Sequence, residues 1–361
     1  MADRRPARLA ALREAIAAQQ LDGVLLTNLP NIRYLTGFSG SNALVAVTAK
    51  HLLLVTDFRY QTQVCDEVGD FARVTIDLAS VWNSFWRILP ELACTTMGFE
   101  SAHLPHKDFS RLLTQGDRWV WRTTTDLVES LRERKDADEI AAISRAANVA
   151  TAALGRAAPQ MRAGMTELQA AGVLEKELRD GGSEGFPFET IVASGPRSAL
   201  PHARASAREI AKGDWLLFDF GAIVDGYVSD VTRTFVLGRA TAEQRAFYEV
   251  VREANARAST GVRPGMTPRD ADALARSYIE GQGFGELFGH GLGHGIGLEV
   301  HEAPRLSKAA DGTLPAGAVV TIEPGIYRAG WGGVRIEDDV VLEGAASRIL
   351  TEFQRQLIEL A

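Results

Sequence analysis

Two short stretches of this chain recur at almost the same interval, and that recurrence limits the folds open to it. Arg162-Ala163-Gly164-Met165-Thr166 returns as Arg263-Pro264-Gly265-Met266-Thr267, 101 positions on. Gly213 stands six residues before Asp219-Phe220-Gly221, and Gly317 stands six before Glu323-Pro324-Gly325, at an offset of 104. Either match alone could be chance. Two in the same order at nearly one spacing point to an internal duplication. Two copies are too few for a solenoid. They predict a domain with pseudo-twofold symmetry and a site between its halves, with a helix before and after each copy of the first motif.

In the first copy, apolar, β-branched runs flank Asp225-Gly226 within residues 213–238. That dipeptide tolerates the positive φ of a tight primed turn, so a hairpin is expected. Asp219 and Asp230 lie in its arms, opposite or diagonal across the ladder. Two buried carboxylates that close repel, and either one protonates or a cation sits between them. Taken alone, the hairpin also fits a structural reading in which Asp219 ends a strand and Asp230 caps a turn. The second copy repeats the chemistry. Residues 319–323 and 334–342 read as strands around RAGWGG, so Glu323 and Glu337 flank Gly330 much as the aspartates flank their turn. Arg335, two residues from Glu337, shares its strand face and would hold it by charge-assisted hydrogen bonds.

Residues 289–302, GHGLGHGIGLEVHE, carry His290, His294 and His301, three of the seven histidines. His290 and His294 have the spacing of a helical zinc pair, but the alternating glycines argue against a helix. The expected form is an extended loop that other backbone approaches closely, with imidazoles on one side. His202 sits in a second loop, SGPRSALPHARAS, ahead of the first hairpin. Four carboxylates and one imidazole suit two divalent ions, whose charge the ligands balance. Oxygen-rich ligation without thiolate favours Mn, Co, Fe or Zn over a structural zinc site. Two such ions activate a shared water and polarise a carbonyl, and the remaining histidines can serve the intermediate and its leaving nitrogen. Hydrolysis of an amide is the expected chemistry.

Elsewhere the chain excludes other classes. A net charge of -7 with no basic run argues against a nucleic-acid partner. No apolar stretch reaches membrane-span length. Residues 1–20 read as an amphipathic helix interrupted by Glu14, not a signal peptide. Cys65 and Cys94 have no CxxC partners, so neither a disulfide framework nor a thiolate zinc site is expected. The default localisation is cytoplasmic. The 361 residues, 46% hydrophobic, allow two domains. Residues 1–125 alternate helical stretches (9–20, 58–68, 81–89) with strand-like runs (24–27, 43–47, 52–56, 97–100, 119–122), a small α/β domain with a mixed sheet. Residues 126–137 form a charged linker. Residues 138–361 form the duplicated domain, opening with a helix to about residue 157.

The order Asp219, Asp230, His294, Glu323, Glu337 resembles the five-ligand set of the dinuclear-metal "pita-bread" peptidases of family M24. SALPHA, HGLGHGIGLEVHE, TIEPGIY and VRIEDD resemble the proline-specific branch, which includes aminopeptidase P and prolidase. NIRYLTGFSGSNA and TDFRYQTQ are similar, more loosely, to its creatinase-type N-terminal domain. The resemblance implies an α/β (α+β) chain with a C-terminal pita-bread fold and a smaller N-terminal creatinase-like domain. It implies Asp219 on one metal, Asp230 and Glu337 bridging, and His294 with Glu323 on the other, Glu323 also being the candidate general base. It implies that His202, His290 and His301 contact substrate and intermediate, that Arg335 supports Glu337, and that Tyr327 lies near the substrate. Two ions, Mn2+ first and Co2+, Zn2+ or Fe2+ as alternatives, and a homodimer follow by the same analogy.

Proline preference follows from physics only in so far as an Xaa-Pro bond lacks the N–H that strand-like docking uses. The leading expectation is an Xaa-Pro aminopeptidase, releasing the residue before proline. The alternative is an Xaa-Pro dipeptidase, for which a basic residue such as Arg59, from this chain or a partner subunit, would bind proline's free carboxylate. A non-catalytic binding module is disfavoured because all five ligand positions are filled.

Overall fold

The computed structural model describes residues 3–344 and 346–361. The chain divides into two units, Met1–Arg132 and Glu133–Ala361. The first is built on a six-stranded mixed sheet. Gly23–Leu26 runs antiparallel to Ala43–Thr48 and parallel to Thr96–Glu100. Leu52–Asp57, Arg73–Asp77 and Val120–Thr124 complete the sheet. Helix Val81–Ile88 buries Trp82, Phe85 and Ile88 against Leu25, Ala46 and Leu53 of the sheet. Several elements had no sequence expectation, among them helix Glu129–Arg132 in the stretch read as a linker. Helix Leu29–Thr36 arises in a turn-rich stretch because Pro30 sets φ in its first turn and Gly37, at φ 82°, ends it. Strand Arg73–Asp77 is a half-exposed edge and so lacks an apolar run. Helix His106–Thr114 buries only Leu112 fully, which leaves its apolar stripe narrow. Residues 58–68 are a 3-10 turn, Phe58–Tyr60, followed by a short helix, Gln61–Glu67.

The second unit repeats a motif of two helices backing a hairpin. Helices Ala137–Ala157 and Glu167–Asp180 pack Ala146, Ala150, Leu154 and Leu174 against Leu216, Phe218, Phe220 and Phe235. Helices Ala242–Gly261 and Pro268–Gly281 pack Phe247, Val251, Ala254 and Ala275 against Val320, Ile322, Val340 and Leu342. The repeated pentapeptides adopt one backbone conformation: Gly164 has φ 86° and Gly265 φ 85°, and Thr166 and Thr267 then cap the helices that follow. Gly213 and Gly317 match likewise, at 87° and 86°.

Strand alternation aims the acidic residues. Trp215–Phe220 buries Leu216, Phe218 and Phe220 on its helix side, so Asp219 points the other way. Val319–Ile322 buries Val320 and Ile322, which turns Thr321 and Glu323 to the opposite face. Asp225 and Gly226, at φ 51° and 73°, make the primed turn the sequence suggested. In the ladder Asp219 faces Thr232, so Asp230 is its diagonal neighbour. The second hairpin departs from the expectation of one strand over residues 334–342. It breaks into Gly332–Arg335 and Asp338–Glu343, and Glu337 lies in the break, as Glu323 lies between Val319–Ile322 and Gly325–Arg328.

The glycine-histidine stretch is not helical: it forms a short strand at Gly293–Gly295, between Val319–Ile322 and Glu302–Leu306, and then bends through residues 297–301. A Cβ on Gly293 would stand 2.0 Å from the Thr321 carbonyl oxygen. Gly293→Ala is therefore expected to cost about 2–3 kcal/mol or more in urea unfolding. Gly172→Ala, where the helix Glu167–Asp180 leaves open space, is expected to be neutral or to stabilise by about 0.5–1 kcal/mol. Equal effects from the two changes would contradict the close approach.

Candidate metal centre

A cavity of about 610 Å3, the size of a small-ligand site, opens in the second unit. Asp219, Asp230, His202, His290, His294, His301, Glu323, Arg335 and Glu337 all line it. Tyr327 lies next to that wall, bonded to two of its residues. Its hydroxyl accepts a hydrogen bond from Arg335 Nη1 at 2.8 Å and lies 3.0 Å from His290 Nε2.

Ligand atoms of Asp230, His294 and Glu337 lie within 4.8 Å of one another. Glu323 Oε1 is 3.4 Å from His294 Nε2, and Asp230 Oδ2 is 3.8 Å from it. Near His294 Nδ1, at 3.1 Å, is the Gly295 carbonyl, which can only accept, so Nδ1 carries the proton and Nε2 presents its lone pair to the carboxylates. Burial first, then His301, lowers the His294 pKa to about 4, which keeps the ring neutral. Asp230 Oδ1 is buried and has no hydrogen-bond partner among the described residues.

The electrostatics point the same way. Burial, then Glu337 and Asp219, push the Asp230 carboxyl well above the usual range. Burial, then Glu323 and Asp219, do the same to Glu337. Burial raises Glu323 to about 8. Crowded, buried carboxylates beside a neutral imidazole lone pair and an orphaned oxygen are what a divalent cation satisfies, so these residues fit a bound metal.

Arg335 is placed differently from expectation. Its direct ion pair is with Asp219, Nη2 to Oδ2 at 2.5 Å. It reaches Glu337 through Thr232, whose Oγ1 accepts from Arg335 Nε at 3.0 Å and donates to Glu337 Oε2 at 2.6 Å. His290 lines the cavity with both ring nitrogens occupied. Nδ1 donates to the Gly291 carbonyl at 2.8 Å and Nε2 accepts from Tyr327, while burial, then Arg335, hold its pKa near 4. Both nitrogens are engaged, so His290 offers the cavity a ring surface and no spare donor. His301 stacks edge-on to His294 with centroids 4.4 Å apart.

Behind the wall, Arg233 spends all five N–H groups. Nε donates to the Gln354 carbonyl, Nη1 to the carbonyls of Thr232 and Glu337, and Nη2 to Asp338 Oδ1 and the Phe353 carbonyl. Asp338 is also held by Arg355 Nε at 2.7 Å, and Asp339 Oδ2 accepts the Asp230 N–H at 3.1 Å. Residues 133–361 thus fix the acidic cluster from a charged frame that the sequence reading missed, because Arg233 and Asp338 look there like ordinary strand residues.

Arg305 was missed as well. Its strand pairs it directly opposite His294, which sends both side chains to one face. It lines the cavity and has no ion pair among the described residues, whereas Arg335 and Arg204 are paired with Asp219 and Glu189. Arg59, the sequence candidate for that task, is held in the first unit by Asp57 at 2.8 Å.

The profile of metallopeptidase family M24 matches residues 141–343, and that of the creatinase/prolidase N-terminal domain matches residues 8–134. The chain belongs to metallopeptidase family M24. It is similar to an Xaa-Pro dipeptidase of Pyrococcus horikoshii, 35% identical over 96% of this chain and 97% of that one. Among solved structures it resembles an Xaa-Pro dipeptidase from Bacillus anthracis, with TM-score 0.95 and 38% identity over 99% and 100% of the two chains. It also resembles an X-Pro aminopeptidase from Thermotoga maritima, with TM-score 0.90 and 36% identity over 98% and 99%. As an M24 metallopeptidase the protein is a hydrolase that works with divalent metal. Among the described residues no helix is long and apolar enough to cross a membrane.

The raised carboxyls make metal-free stability pH-dependent. Glu323 titrates near 8 in the fold against 4.5 for the ordinary group. A carboxyl raised in this way contributes stability below its unfolded pKa and loses it as pH climbs through the folded value. In excess chelator, Glu323→Gln is expected to melt alongside the wild type at pH 4.5, but at least about 2 °C above it near pH 8.5. Thermal unfolding that ranks the two proteins identically at both pH values would contradict the buried-charge account.

Proposed function

We propose that this protein is an Xaa-Pro dipeptidase, hydrolysing the bond before a C-terminal proline. This reverses the order of the sequence expectation, which put the aminopeptidase first. The observation that carries it is Arg305, a guanidinium at the cavity with no carboxylate of its own among the described residues. In an Xaa-Pro dipeptide, proline's carboxylate follows the scissile bond directly and can meet such a cation. In a longer peptide that carboxylate is an amide, and Arg305 gains no charged partner. The dipeptidase names of two of the relatives support the reading; the Thermotoga neighbour supports the aminopeptidase as the second one.

In this reading Asp219, Asp230, His294, Glu323 and Glu337 hold two divalent ions, Mn2+ first. When bound, the metal supplies an activated water and Lewis-acid polarisation of the scissile carbonyl. Arg335 donates to Asp219 and Thr232 donates to Glu337, which orients both carboxylates. Glu323, at the cavity wall, takes a proton from the attacking water and returns it to the proline nitrogen as the C–N bond breaks. His301 and His202, whose rings have no hydrogen-bond partner among the described residues, donate to the carbonyl oxygen as it gains charge. His290 and Tyr327 shape the wall. A homodimer is part of the reading and is checked by light scattering.

Two measurements test this function. Chelation is expected to abolish activity and Mn2+ to restore it, with Asp230→Ala inactive under both conditions. Arg305→Ala is expected to raise KM for an Xaa-Pro dipeptide about 10- to 100-fold, the worth of one charged hydrogen bond, and to leave an Xaa-Pro-Xaa tripeptide little changed. A wild type that prefers the tripeptide, with Arg305→Ala indifferent, would return the aminopeptidase to first place.

A further inference from the structure

His202 has the least support of its own among the cavity residues. Its ring is exposed in the wall and makes no hydrogen bond among the described residues. Its position is therefore that of its loop, residues 194–206, which opens with the 3-10 turn Gly195–Ala199 and then lacks regular structure to its end. A loop of that kind can place an imidazole only if its ends are fixed.

Both ends converge on one carboxylate. Glu167, in the first turn of helix Glu167–Asp180, is 0% exposed. Its Oε1 accepts from the Ser194 N–H and Oγ, both at 2.8 Å. Its Oε2 accepts from Ser206 N–H at 3.1 Å and Ser206 Oγ at 2.6 Å. Arg197 Nε adds a fifth donor at 3.0 Å, and its Nη2 crosses the loop to the Arg204 carbonyl at 2.6 Å. A helix start has no need of a buried carboxylate with this set of donors, because Thr166 already caps it. The donors belong instead to the two ends of the His202 loop.

The other half of the unit does the same thing with different residues. On helix Pro268–Gly281, Asp272 and Arg276 form a buried ion pair. Arg276 donates to the carbonyls of Phe288 and His290 at 3.0 and 2.6 Å, and Asp272 Oδ1 accepts the Leu292 N–H at 3.1 Å. In each half, the helix after the repeated pentapeptide carries a buried carboxylate that holds a histidine loop.

We propose that Glu167 is a positioning residue for catalysis: by clamping both ends of the 194–206 loop it sets His202 against the substrate without touching substrate itself. The proposal rests on the reading of His202 as a substrate contact. The test measures kcat and KM for an Xaa-Pro dipeptide in Mn2+-loaded wild type, Glu167→Gln, His202→Ala and the double variant, with Mn2+ binding followed by calorimetry. Glu167→Gln is expected to change kcat/KM about 10-fold or more and to leave Mn2+ affinity unchanged. On the His202→Ala background the same change is expected to alter kcat/KM less than about 2-fold, since the group it positions is gone. Ser206→Ala, which removes the 2.6 Å donor and keeps the acid, takes the place of Glu167→Gln where that variant does not fold, with the same coupling expected. An undiminished effect of either change on the His202→Ala background overturns the positioning role. A His202→Ala enzyme with wild-type constants overturns both that role and the reading of His202 beneath it.

Discussion

The second unit is organised around a repulsion. Asp219, Asp230, Glu323 and Glu337 share one cavity wall, and among the described residues Arg335 is the guanidinium that pairs directly with one of them, Asp219. Buried like charges cost several kcal/mol each unless something compensates. The fold supplies part of the compensation, through Arg335 on Asp219 and Thr232 on Glu337. It leaves Asp230 Oδ1 and the His294 lone pair open. What remains is a deficit of positive charge at buried carboxylates, which a bound cation would satisfy.

Rigidity comes from the duplication. Each hairpin is backed by its own pair of helices, so each brings its acids forward from a packed layer and neither depends on a flexible loop for aim. The halves have diverged in chemistry while keeping geometry. One uses aspartates within and just before ladder strands, the other glutamates at strand breaks. His294 lies on the short strand Gly293–Gly295, where a glycine flanks it on each side because a Cβ would meet the Thr321 carbonyl at Gly293 and the Ala303 carbonyl at Gly295.

The parts of this arrangement that were legible in the sequence are those with a local signature. Asp225-Gly226 announced a primed turn, alternating glycines announced a close-packed extended segment, and the repeated pentapeptide announced the second half. Strands buried on both faces, such as Ala43–Thr48, were visible as apolar runs, whereas the exposed edge strand Arg73–Asp77 was not. The residues later gathered at the cavity could be named because they sit in those signatures. Arg233, Asp338, Thr232 and Arg305 could not. Each matters through a partner far away in sequence, and Arg305 in particular gains its meaning only from the register that puts it opposite His294. The break at Glu337 was hidden for a similar reason, since the apolar pattern continues across it.

The five bonds of Arg233 also say something about order in time. Its acceptors beyond Thr232 lie 104 to 121 residues further along the chain. As the polypeptide leaves the ribosome, the first hairpin emerges well before the strand Asp338–Glu343 and residues 353–354 exist. Until they do, the guanidinium gains more from water than from any interior, and the apolar strand that bears it cannot settle into its final layer. Contacts of such long range close late. The acidic pocket is then among the last features to form, and the nascent chain offers a passing metal ion no finished set of ligands until both halves have been made.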